Sequence, residues 1–327
     1  MAFDVSAISA WTNELGNKAD FILKPILAAK TLQSFTGIDI RRGITGFTEK
    51  IPTLESTTPW QAGTACGFTT SGTTTVTQMS LTTAAIKIQE QICLQDLETY
   101  FTQSLLPDNS RPESFQLLDR WVGRKLEQVA LQIESALWQG NTAYTNATHL
   151  KHFNGWIKKV DDAVDEIAAT SQASISTSTV RGIMEEIAYD KIPAKIRNLN
   201  PIVVCGQDTF NIYMKKLMVD NLYHYDPANK AQDSYITNIF GTNVKLYGLP
   251  GLNNDNAVDS GALPTAVKNR VFATFQDNLL LGLNTEDDVK DFDVWYSKDD
   301  QVLKFMLRFH LGVAVKYTDL VVSYINL

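Results

Sequence analysis

The apolar positions of this chain follow two periods. Phe115, Leu118, Val122, Leu126, Val129, Ile133 and Leu137 recur at steps of three and four, which lays one apolar stripe along a helix. Glu113, Asp119, Arg120, Arg124, Lys125, Glu127 and Glu134 take its other faces. Pro112 suits a first helical position, Ser110 or Asn109 a cap before it, and Gly140 a C-terminal cap. The pattern predicts a helix over residues 112–139, roughly 40 Å long.

Further on, Val180, Ile183 and Ile187 predict a helix over 179–189. The apolar run 201–205 reads as a buried strand, followed by a helix over 208–219 and a strand over 243–249. This αβαβ order suggests a mixed domain of about 90 residues. Residues 251–265, rich in Asn, Asp, Gly and Pro, read as a loop. Then the period drops to two. Phe292, Val294 and Tyr296 alternate with Asp291, Asp293 and Trp295. Leu303, Phe305, Leu307 and Phe309 alternate with Lys304, Met306, Arg308 and His310, giving two half-buried strands joined by a turn at 297–301. Residues 320–327 form a last apolar strand. No internal repeat is visible.

Charge alters this picture at one place. Between Glu55 and Lys87 no side chain is charged, and the stretch is dominated by Thr, Ser and Gly. A flexible linker would have that composition, but Trp60, Phe68, Val76, Met79 and Leu81 are spread through it. Thr favours extended chain, and Gly63, Gly67 and Gly72 punctuate it as turns or bulges would. The stretch reads as a long β-hairpin with little core of its own. Such a hairpin is marginal alone and prone to aggregate, so a partner surface is expected to cover it.

Elsewhere composition mainly excludes. The 327 residues are 44% hydrophobic and 20% charged, with 29 basic and 36 acidic side chains and a net charge of −7. That is neither a disordered chain nor one that grips polyanions by bulk attraction. Three scattered cysteines, Cys66, Cys93 and Cys205, make no disulfide framework or zinc cluster and suit a reducing compartment. The apolar stretch 21–29 is broken by Lys24 and Pro25, too short to span a bilayer, and no basic residue precedes Lys18 as a signal peptide would need. A soluble intracellular protein is expected.

Catalytic motifs are missing. There is no phosphate-cradling Gly-x-x-x-x-Gly-Lys, Gly-x-Ser-x-Gly elbow, His-Glu-x-x-His or Cys-x-x-Cys. His149 and His152 could share a face as metal ligands, with solvent-exposed histidines as the plainer reading. Asp161, Asp162, Asp165 and Glu166 could line a cation site, with a solvated acidic face as the plainer reading. Asn253, Asp255 and Asp259 resemble a calcium loop, but Val258 stands where its turn needs Gly. The cysteines lack a neighbouring His and read as small buried hydrophobes. No enzyme, cofactor or metal is expected.

The sequence of elements resembles the major capsid protein of tailed bacteriophages, the Hong Kong 97-like fold. The resemblance rests on Lys50-Ile51-Pro52, the Thr/Gly-rich arm and Leu81 through Leu97. It also rests on the helix exit Ala136-Leu137-Trp138-Gln139-Gly140-Asn141 and the segment Gly241 to Gly251. Three closing stretches complete it: Asp277 to Gly282, Asp293 to Asp299, and Arg308 to Val313. It implies an α+β fold: an N-terminal arm (1–40), an extended β-hairpin loop (41–86), and a peripheral domain (87–174) carrying the spine helix. An apical α/β domain (175–268) and returning strands of the peripheral domain (269–327) would follow, the last strand a candidate to cross to the apical domain.

The resemblance further implies a structural protein whose copies form hexamers and pentamers of an icosahedral shell around double-stranded DNA, in a virion assembled in the bacterial cytoplasm. Each arm would lie over a neighbour's spine-helix domain. Trp60, Phe68, Val76, Met79 and Leu81 on the arm, with Arg120, Arg124 and Lys125 on the helix, are the candidate interface. A separate scaffolding protein is expected, since only about thirty residues precede Thr31, with a portal and decoration proteins as further partners. Some family members weld the shell through an arm lysine; no Lys lies between Lys50 and Lys87, so no such bond is expected. An encapsulin-like compartment shares the fold. A motif-less α/β enzyme and a Thr-rich adhesin are the remaining alternatives.

Overall fold

The computed structural model describes residues 25–325 apart from 27, 36, 45–46, 58, 62, 64–69, 94–113, 146–148, 164, 171–173, 223–234, 255–266 and 285–291. Two sheets share one long helix, and a two-stranded ribbon stands apart.

The first sheet takes strands from both ends of the described chain. After a short helix, α1 (Lys30–Ser34), come β1 (Asp39–Arg41), the ribbon strands β2 (Thr48–Thr57) and β3 (Thr73–Thr82), and β4 (Ala84–Cys93). Much later follow β10 (Leu279–Leu283), β11 (Phe292–Ser297) and β12 (Val302–Val315). The sheet order is β1-β10-β12-β11, with β4 also paired to β12 from Val302↔Cys93 to Leu311↔Ala84. The alternation expected for β12 is present: Leu303, Phe305, Leu307 and Phe309 are buried, and from Leu311 onward both faces are. Trp156 covers that doubly buried end, its indole N–H donating to the Ala314 carbonyl at 3.2 Å.

The apolar stripe becomes helix α2 (Ser114–Gln139), which lays Val122, Val129, Ile133 and Leu137 into the core over this sheet. A short helix, α3 (Trp156–Asp161), packs beside its end.

The second sheet has the order β5-β13-β9-β6-β8-β7. Its strands are β5 (Ile167–Ala168), β6 (Pro201–Gly206), β7 (Ile236–Asn238), β8 (Lys245–Leu249), β9 (Val271–Phe275) and β13 (Val322–Tyr324). β6 is buried throughout, as its unbroken apolar run requires. Val203 and Cys205 face one core, with α4 (Val180–Glu185, continued by a π-helical turn to Lys191) and α6 (Gln207–Val219), which follows α5 (Ala194–Arg197) in the chain. Ile202 and Val204 face the other core, shared with α2 and the first sheet.

One strand lies elsewhere than the reading above put it: β9, assigned with the returning strands of the first sheet, is central in the second, paired antiparallel to β6. β13, the strand read as a candidate to cross, pairs with β9 there. Strand β7, at the edge beside β8, carried no recognisable period in so short a segment.

Candidate assembly interface

The ribbon β2–β3 is fully laddered from Thr48↔Thr82 to Thr57↔Thr73. Cross-strand hydroxyls reinforce it, with Thr53 and Thr77 Oγ1 atoms at 2.6 Å and those of Thr57 and Thr73 at 2.9 Å. Threonine can pair this way and needs no core beneath it, which explains why so polar a segment holds strand geometry. Its outer part is solvated on both faces. Leu54 and Val76 sit opposite one another and are 64% and 62% exposed, and Trp60, just beyond the last pair, is 100% exposed.

The root is different. Leu81 is wholly buried in a small cluster with Ile44, Ile51, Leu280 and Ala314. The ribbon can come this close because Gly282 and Gly312 are cross-strand partners in the sheet below. A Cβ on Gly282 would lie 2.8 Å from Ile44 Cδ1 and 3.0 Å from Leu81 Cδ2. One on Gly312 would overlap the Thr82 carbonyl and sit 2.9 Å from Thr83 Cα. The Thr83 N–H donates to the Phe47 carbonyl at 2.8 Å, and Phe47 takes a positive φ of 65° to present it. This glycine pair escaped the sequence reading, although a lone Gly inside an alternating strand is a signal of close backbone approach.

Beside the root, between α2 and β4, lies a cleft of about 170 Å³. Ile88, Val129, Ile133, Phe153, Phe309 and Leu311 give it apolar walls, while Lys87, His149 and His152 bring the only ionisable groups to it among the described residues. His149 Nε2 is 3.1 Å from Ser135 Oγ on the helix.

The eight candidate interface residues are thus not alike. Trp60 and Val76 are exposed on the arm, and Met79 is half-buried against the root cluster. Leu81 is a correction: its side chain belongs to the interior of its own chain, because the glycine pair draws the root onto the sheet. Phe68 and the side chain of Arg120 lie outside the described residues. Arg124 is exposed, 3.7 Å from Glu127. Lys125 reaches Glu90 of β4 at 2.7 Å, so it ties helix to sheet within the subunit.

The remaining constellations are also placed. Among the described residues, no group of three or more His, Cys, Asp or Glu could hold a metal ion. The acidic cluster is more than a solvated face. Asp161 pairs with the fully buried Arg270, which also donates to Ser323 Oγ at 2.8 Å, and Asp165 accepts from the Thr318 hydroxyl at 2.8 Å. Burial, then the Asp161 charge, raises the Glu166 carboxyl above its ordinary range, against the lowering pull of Arg270. Asn253 caps α6 by accepting from the Gln207 N–H at 2.7 Å; Asp255 and Asp259 lie outside the described residues. Cys205 is buried, and desolvation pushes its thiol far above the ordinary value. Among the described residues, no helix is long and apolar enough to cross a membrane.

Glu134 was assigned to a polar helix face and is instead 3% exposed. Thr31 donates to it twice, from N at 3.0 Å and Oγ1 at 2.6 Å, and the Trp138 indole N–H donates to Thr31 Oγ1 at 2.8 Å. Burial raises its carboxyl above the ordinary value, opposed by these bonds and one from the Gly251 backbone. The group joins α1, α2 and the turn after β8.

The sequence matches no family model and no curated protein. Solved structures do match. The capsid chain of Myoviridae phage XM1 is 13% identical, with 91% of this chain and 92% of that one covered and a TM-score of 0.57. The capsid chain of an empty GTA particle is 11% identical, with 91% and 89% covered and a TM-score of 0.55. A chain of the satellite phage P4 procapsid, a structure that includes the size-determination protein Sid, is 11% identical, with 88% and 92% covered and a TM-score of 0.51. At these identities the likeness is one of fold, and it runs the length of both chains. The chain has the Hong Kong 97-like fold of phage capsid shells.

Proposed function

We propose that this chain is the major capsid protein of a phage, a structural and non-enzymatic subunit. Its copies build an icosahedral shell of hexamers and pentamers around double-stranded DNA in the virion. The observation that carries the reading is the whole-chain match to capsid chains, with about nine-tenths of each chain covered. The ribbon supports it independently. A fully laddered arm, uncharged from residue 56 to 86, leaves Trp60, Leu54 and Val76 exposed among the described residues, and a neighbour's spine-helix domain would cover them.

In this reading residues 41–86 are the extended loop and α2 the spine helix, and the second sheet belongs to the apical domain. Trp60, Phe68, Val76 and Met79 with Arg120 and Arg124 remain the candidate contacts. Head-to-tail contacts of this kind close into rings when the rotation closes. The net charge of −7 fits a wall that confines DNA without gripping it. A scaffolding protein, a portal and decoration proteins are the further partners proposed, with assembly in the host cytoplasm. The P4 procapsid structure, which includes a size-determination protein, supports a proposal of partners of this kind.

Negative-stain microscopy of the expressed protein, alone and with neighbouring phage proteins, tests this. Closed shells, tubes or capsomer rings are expected. A chain that stays monomeric under every condition would overturn the proposal. Deleting residues 60–80 should leave folded subunits that no longer assemble.

A further inference from the structure

Just beyond its last ladder pair the arm carries a bare indole, and the subunit carries a hole of matching size and chemistry. Trp60 is 100% exposed, whereas the other large apolar side chains among the described residues of the arm are at least partly covered. The cleft between α2 and β4 is about 170 Å³, comparable to the ~150 Å³ apolar cavity that accepts a benzene ring. Its walls are aliphatic and aromatic, and its ionisable groups are Lys87, His149 and His152. Cations near an aromatic face are attracted by the ring's quadrupole, most strongly for Trp. The segment around Trp60 carries no charge from residue 56 to 86, so no charge in that segment opposes its approach to this mouth.

Geometry decides which Trp60 can enter. The ladder runs ten pairs from Thr48↔Thr82 to Thr57↔Thr73, which at ~3.4 Å per residue holds the Trp60 end roughly 30 Å from the root. The cleft lies at the root, since Ile86 and Leu311 line it and Ala84 pairs with Leu311. The occupant is therefore a second copy. Resting on the shell proposal, we infer that Trp60 of one subunit seats in the α2–β4 cleft of its neighbour, as the anchor of the head-to-tail contact.

Buried tryptophans are characteristic anchors of interfaces, and truncating one weakens association about thirty-fold or more. Trp60→Ala should raise the concentration needed for self-association by that factor without changing the subunit's unfolding curve, since the side chain is fully exposed. Gln132 is exposed at the cleft, so Gln132→Trp should plug the cleft and have the same effect.

The decisive experiment mixes the two full-length variants and follows them by analytical ultracentrifugation. One variant keeps the cleft and the other keeps the indole. Together they can make one contact only, so a discrete 1:1 heterodimer is expected where each alone is monomeric. Wild-type-like assembly by Trp60→Ala, or two variants that fail alone and also fail to pair, would overturn the anchor while leaving the shell proposal standing. A wild-type chain that never self-associates would overturn both.

Discussion

Replacing Leu81 by Ala tests whether the arm's root is subunit interior. The side chain is wholly buried among Ile44, Ile51, Leu280 and Ala314, over the gap left by Gly282. Removing three carbon groups forfeits about 2.4 kcal/mol of transfer free energy at ~0.8 kcal/mol each. The surrounding strands are held by their ladders and cannot collapse fully, so a cavity remains and the cost becomes about 3 kcal/mol. Val76→Ala is the internal control. It lies five residues away on the same strand but is 62% exposed, so its cost should stay within about 0.5 kcal/mol. Urea unfolding of unassembled subunits, followed by circular dichroism, should show a lowered midpoint with unchanged slope for Leu81→Ala only. A Leu81→Ala midpoint equal to wild type, or an equal loss in Val76→Ala, would refute the placement of the root.

Further expectations concern other sites. Gly312→Ala should destabilise the subunit by about 1–3 kcal/mol in the same assay, because its methyl group meets the Thr82 and Thr83 backbone rather than a yielding side chain. Glu134 has a folded-state pKa raised above its ordinary 4.5 by burial, so its contribution to stability is greatest below pH 4.5 and falls as pH rises through the folded value. Urea titrations should therefore show Glu134→Gln gaining on wild type as pH increases from about 4.5; a difference independent of pH would contradict this. Arg270→Ala should cost about 3–5 kcal/mol in thermal or urea unfolding, because it leaves Asp161 and the half-buried Glu166 without their cation. With thiol reagents read out by peptide mass spectrometry, buried Cys205 should react only after unfolding, while half-buried Cys93 reacts in the native subunit. Denaturing electrophoresis of assembled particles should show monomers, since the arm has no lysine from residue 51 to 86.

Local pattern determined most of the elements. The step of three and four from Phe115 to Leu137 was enough to specify α2, the period of two specified β12, and the missing charge from 56 to 86 marked the arm. Each signal arises within one element, where a side chain's face follows from its position in the repeat. What the pattern could not carry was partnership between distant segments. Whether a strand joins one sheet or the other is settled by long-range pairing, so β9 was legible as a strand but not as a member of the second sheet. Glu134 reads as one more polar residue on a helix until Thr31, 103 positions earlier, is brought against it. Leu81 reads as arm until two glycines 30 residues apart pair in the sheet beneath and let the backbone close over them. The sequence by itself thus determined the uncharged arm, the long helix and the strands that follow. Tertiary structure alone decided where arm ends and subunit begins, because that boundary is set by contact between chains of atoms far apart in the sequence.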